Sequence, residues 1–142
     1  MNHKPILLEL SILTFIVSIF IIFSRVDVPG REIMYGVWKG EYLGKELLFS
    51  FNSDGTCVLN FKDKASGKIE RLNGKFELGL SKSPIPLTVR SIPQLDHPLH
   101  TIVKFNGDDS IRMAHFATRW RLRPISFDRG ASMNLMRTRE NL

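Results

Sequence analysis

The chain has 142 residues, a formal net charge of +6, 24% charged and 43% hydrophobic residues. Setting aside a membrane span of about twenty residues leaves enough for one modest domain and too little for two. One cysteine, Cys57, excludes an intrachain disulfide and the paired-thiol zinc and redox motifs.

Residues 6–23, ILLELSILTFIVSIFIIF, are almost wholly apolar. About twenty helical residues cross the roughly 30 Å hydrocarbon core, so this run is predicted to span a membrane. Its one charge, Glu9, lies near the start, and Ser11, Thr14 and Ser18 can return their hydroxyls to the helix backbone. The run exits through Phe23-Ser24-Arg25-Val26-Asp27, without the small residues of a signal-peptide cleavage site. The expectation is therefore an uncleaved single-pass anchor over 1–24, followed by a tether over 25–34 in which Pro29-Gly30 breaks the helix.

From Tyr35 to the end the apolar period becomes two, which predicts a mainly β domain over 35–142. Trp38 and Tyr42, then Leu47, Phe49 and Phe51, then Cys57, Leu59 and Phe61 each mark the inward face of a strand. Further sets are Phe76, Leu78 and Leu80; Ile85, Leu87 and Val89; and Leu99, Thr101, Val103 and Phe105. Asp54-Gly55, Asn73-Gly74 and Asn106-Gly107 are read as tight hairpin turns, and Lys64–Lys68 as a longer polar loop. Four prolines make 81–98 an irregular or edge region, and Ser110–Phe116 and Ser132–Arg139 supply two last strands. About eight short strands in meander order, with no amphipathic helix, predict an antiparallel up-and-down barrel or strongly curled sheet.

The excess positive charge is local. From Arg112 to Leu142 there are seven arginines against Asp128 and Glu140, which accounts for five of the six net charges. In Arg119-Trp120-Arg121-Leu122-Arg123, a strand would put the three arginines on one face and the two apolar residues on the other. Arg112, Arg119, Arg121, Arg123 and Arg129 are the candidate interaction residues. They suit an anionic partner, whether lipid headgroups, an acidic protein face or nucleic acid, and the competing reading is a solvated arginine-rich rim of the barrel. The anchor argues against nucleic acid.

Other chemistry is thin. Asp96-His97-Pro98-Leu99-His100, with His115 across the sheet, holds metal-ligating residue types, but a site needs three or four converging donors, and a polar loop is the better reading. Cys57 alternates into the core, where a thiol is usually inert. Asp108-Asp109 on a hairpin lack the burial that tunes a general acid. No catalytic set, metal site or cofactor motif is expected.

Gly36-Val37-Trp38 has the G-x-W form that opens the first strand of lipocalins, and the chain resembles small bacterial lipocalin-like domains of uncharacterised function. The matching segments are GVWKG (36–40), FNSDG (51–55), VKFNGDDSIRM (103–113) and RPISFDRG (123–130). The resemblance implies a lipocalin-like barrel in which Arg137 and Arg139 of the last strand close over Trp38, and it carries no reaction. Together with the anchor, the bacterial resemblance leads to the expectation of a bacterial inner membrane, where a short leader before a folded domain favours a periplasmic domain. The charges flanking the helix are too balanced to decide orientation. The leading expectation is a non-enzymatic accessory subunit docking on other integral membrane proteins of one complex. The alternatives are a tethered carrier of an apolar lipid or pigment in a β-calyx, and a metal-binding stress or assembly factor. A barrel only about 100 residues long puts a roomy calyx in question, because eight strands can be filled by their own side chains.

Overall fold

A computed structural model describes residues 30–139; the expected anchor at 6–23 lies outside them. Among the described residues no helix is long and apolar enough to cross a membrane. The strands are β1 (Gly36–Tyr42), β2 (Lys45–Phe51), β3 (Thr56–Asp63), β4 (Ile69–Leu78), β5 (Ile85–Arg90), β6 (Leu99–Phe105), β7 (Ser110–Ala114) and β8 (Ser132–Thr138). Each pairs antiparallel with its neighbour in sequence, and β8 returns to β1, so the sheet closes as an eight-stranded barrel rather than an open curl. Closure leaves no sheet edge to protect.

Alternation decides which residues fill the barrel. Trp38, Leu47, Phe49, Phe51, Leu59, Phe76, Leu87, Val103, Ile111 and Leu135 are all buried in one cluster. Phe49 meets Phe61 and Phe116 edge to face, with ring centroids at 5.2 and 6.1 Å, and Phe51 meets Phe76 at 5.1 Å. The interior is solid, packed by the side chains whose two-residue period announced the strands.

A short 3-10 helix, Arg31–Met34, stands across the barrel end at which β1 starts. Met34 is fully buried there, its carbonyl accepting the Trp38 indole N–H at 2.9 Å. Arg31 lies over the Phe76 ring, 4.7 Å from its centroid, and donates to the Phe76 carbonyl. Packing of the domain therefore reaches back into the stretch the sequence assigns to the tether.

The β1–β8 seam explains the glycines around Trp38. Gly36 has φ +122°, and a Cβ there would stand 2.7 Å from Arg137 Nη1. At Gly40 a Cβ would fall 2.5 Å from the Asn134 carbonyl oxygen, so the two strands meet closely only because no side chain intervenes. Arg137 pairs with Trp38 across the seam, its guanidinium 4.3 Å from the ring centroid. It also donates to the carbonyls of Ile33 (2.9 Å), Tyr35 and Asp108 (3.0 Å).

Several sequence expectations change. Asn73-Gly74 is not a turn: β4 runs through it, Gly74 pairing with Cys57. The glycine serves close approach, since a Cβ would lie 2.8 Å from Val89 Cγ1 and 2.9 Å from the Arg90 carbonyl oxygen. Ile85, Leu87 and Val89 form the expected strand, β5, but it is paired on both sides and is no edge, with Pro86 inside it. Pro86 sits beyond the last β4 residue, where its carbonyl still accepts the Gly79 N–H at 2.9 Å, so the missing donor costs one bond at the ladder's end. β7 stops at Ala114 and β8 at Thr138, short of Phe116 and Arg139. The alternating 119–123 stretch is not a strand: Trp120–Leu122 form a 3-10 turn, with both apolar residues exposed. The barrel is complete without it, so there is no edge on which a ninth strand could pair.

Candidate interaction surface

The connection from β7 to β8, residues 115–131, is the longest in the barrel and carries most of the basic cluster. It leaves β7 beside β6, where His100 and Ala117 exchange both backbone hydrogen bonds at 2.8 Å. It then folds back over the outer wall of β5 and β6 as a flap. This explains a departure from simple alternation: Thr88, His100 and Ile102 point outward from the barrel yet are only 5%, 5% and 3% exposed.

Two arginines fasten the flap. Arg123 Nη2 donates to Thr88 Oγ1 at 2.5 Å and stands 3.0 Å from His100 Nδ1, which in turn lies 3.2 Å from Thr88 Oγ1. With a guanidinium facing it, that ring nitrogen acts as an acceptor. Burial, then the charges of Arg123 and Arg90, lower the His100 pKa and favour the neutral ring. The Arg123 pKa is lowered by burial and by Arg90, and its Nε is buried without a hydrogen-bond partner. On the return limb, Arg112 donates to the Phe127 carbonyl and the Ser132 hydroxyl and lies 5.5 Å from the Phe127 ring centroid.

The five candidate interaction arginines therefore divide. Arg112 and Arg123 are engaged within the fold; Arg119, Arg121 and Arg129 are exposed on the flap. Between these stand Trp120, Leu122 and Ile125, which are 69%, 63% and 87% exposed. Of the two arginines expected at the closure, Arg137 lies over Trp38, whereas Arg139 is past β8 and exposed.

Other candidates are dispersed. His100 faces the Arg123 guanidinium, His97 lies in a loop with Nε2 3.7 Å from the exposed Asp96, and His115 is exposed near Ala131. Among the described residues no three His, Cys, Asp or Glu side chains converge as metal ligands do. Cys57 is buried in the core, and desolvation pushes its thiol pKa up to about 12.

Sequence reading missed the crevice that the flap makes with the wall. Its first part, about 740 Å³, lies between Lys82–Pro84 of the β4–β5 loop, Ile102 of β6, and Trp120, Arg121, Arg123 and Ile125 of the flap. A second part, about 470 Å³, shares Ser83, Pro84 and Ile125 and runs along Ile85, Phe105 and Phe127. The signal available in the sequence was Ile102, an apolar residue at an outward position of β6, which implies a cover. Comparison of the chain with protein-family models, curated proteins and solved structures gives no match.

Proposed function

We propose that the chain is a non-enzymatic, membrane-anchored accessory subunit: a lipocalin-like barrel held by the 6–23 helix and docking on integral membrane proteins of one complex through its flap. In this reading the barrel lies on the periplasmic side of a bacterial inner membrane. The observation that carries the proposal is the flap's composition. Trp120, Leu122 and Ile125 stand in solvent among Arg119, Arg121 and Arg129, on a segment pinned to a rigid wall by Arg112 and Arg123. Exposed aromatic and aliphatic side chains interleaved with arginine are the composition of interface centres, and their cost in water is recovered when a partner covers them.

The solid core favours docking over carriage. A ligand held in the middle of the barrel would have to displace Trp38, Phe49, Phe51, Leu59 and Phe76, all at most 1% exposed. Gentle detergent extraction and native purification test the proposal. The expected result is a stoichiometric membrane-protein partner that is lost from Leu122→Glu and Arg119→Glu variants; a monomer without a partner would count against it.

A further inference from the structure

The crevice is acid-free and two-toned. Its first part carries Lys82, Arg121 and Arg123; its second part is mainly apolar, with Lys104 the one charged side chain on its wall. No carboxylate lines either part, and among the described residues none lies within 4.0 Å of the Lys82, Arg121 or Arg123 nitrogens. Lys82, Arg121 and Arg123 give this wall a field of one sign, which favours an anion. The Arg123 guanidinium itself meets no carboxylate: its Nη2 contacts Thr88 Oγ1 and His100 Nδ1. An anion alone would leave the apolar trough along Ile85, Phe105 and Ile125 in water, so the complementary molecule is an anion with a hydrocarbon tail.

Place in the fold points the same way. The β4–β5 loop that supplies Lys82 and Pro84 lies at the end of the barrel where β1 begins and Gly30 enters. From residue 23 to Gly30 six residues intervene, which span at most roughly 25 Å when extended. A barrel tethered at 6–23 therefore presents this end, and the mouth of the crevice, to the lipid surface.

We propose that the crevice binds an anionic phospholipid of the membrane, with the phosphate among Lys82, Arg121 and Arg123 and an acyl chain along Pro84, Ile125, Ile85 and Phe105. This goes beyond the docking reading: the two share Trp120, Arg121 and Ile125, whereas Arg119, Leu122 and Arg129 do not line the crevice. The phosphate end lies outside the barrel, and the apolar end reaches Ile85 and Phe105, which also pack against the core.

The test uses the full chain in a non-ionic detergent. Native mass spectrometry is run with phosphatidylglycerol, with phosphatidylcholine, and with glycerol 3-phosphate as a competitor. Trp120 fluorescence is followed with acyl-brominated phosphatidylglycerol, and Trp120→Phe supplies the background from buried Trp38. One phosphatidylglycerol per chain is expected in clear preference to phosphatidylcholine, with Trp120 quenched. Because Lys82 and Arg121 are exposed, Lys82→Glu/Arg121→Glu retains the fold, and binding is expected to weaken by at least about tenfold. Equal binding of the two lipids, or binding unchanged in the double variant, overturns the proposal. Full displacement by glycerol 3-phosphate overturns it too, by making the site one for a soluble phosphate. An unsubstituted chain that holds a protein partner but binds no phosphatidylglycerol would refute this proposal alone, and one that binds the lipid but holds no partner would refute only the docking reading.

Discussion

Replacing Arg137 with methionine should cost the barrel far more than one surface charge. The guanidinium donates to three backbone carbonyls, of Ile33, Tyr35 and Asp108, and lies over the Trp38 ring. Hydrogen bonds from a charged donor contribute about 1.5–3 kcal/mol each in favourable cases. A cation over an indole adds about 1 kcal/mol. These terms share one side chain, itself 28% exposed, and do not add fully, so about 3 kcal/mol is the working figure. The ion pair to Asp109 adds little, because that carboxylate is 77% exposed. For a domain of this size the loss lowers Tm by roughly 10–15 °C. Thermal unfolding of the full chain in detergent, followed by near-ultraviolet circular dichroism, measures it. Arg137→Lys keeps the charge but not the three-way fork and should recover less than half of the loss. Arg139→Ala should change stability by less than about 0.5 kcal/mol. If Arg137→Met and Arg139→Ala unfold together, the seam is not held as described.

Gly36→Ala should destabilise by about 1–3 kcal/mol in urea unfolding, because φ +122° is nearly closed to alanine and the new methyl meets Arg137 Nη1. Cys57, with its thiol pushed up to about 12 and buried, should resist maleimide at pH 8 and react only as fast as the barrel opens. The His100 pKa is lowered in the fold, so below its unfolded value of about 6.5 the unfolded chain binds a proton that the native chain refuses. Stability should therefore fall as pH drops from 7 towards 5, and His100→Gln should flatten that fall in urea titrations at each pH. Arg123→Met should free the flap, and limited trypsin digestion should then cleave after Arg119 and Arg121 several-fold faster while the barrel persists.

The barrel was legible because its strands obey one rule. Phe49, Leu59, Val103 and Leu135 each sit on the inward face of a strand, and a period of two survives in any sequence that must fill a closed sheet. The same rule misread two places. Asn73-Gly74 has the composition of a turn, but its glycine answers to Val89 and Arg90 on the neighbouring strand, a tertiary contact that no local window contains. Arg119–Arg123 alternates like a strand, yet whether a ladder is open to it depends on β8 having already reached β1. The flap was half visible: the arginine excess located its charge, and the fold decided that Arg112 and Arg123 turn inward while Arg119, Arg121 and Arg129 stay out. Lys82 and Ile125 come together across some forty residues, so the crevice could not be read from either segment alone.

The most direct test of the whole account is site-specific photocross-linking in intact membranes, with the reactive side chain at Leu122 on the flap or at Lys62 on the exposed face of β3. The account predicts one discrete adduct with a membrane protein from position 122 and none from position 62. Equal diffuse labelling from both positions, or no adduct from Leu122 in a membrane-bound chain, would contradict it.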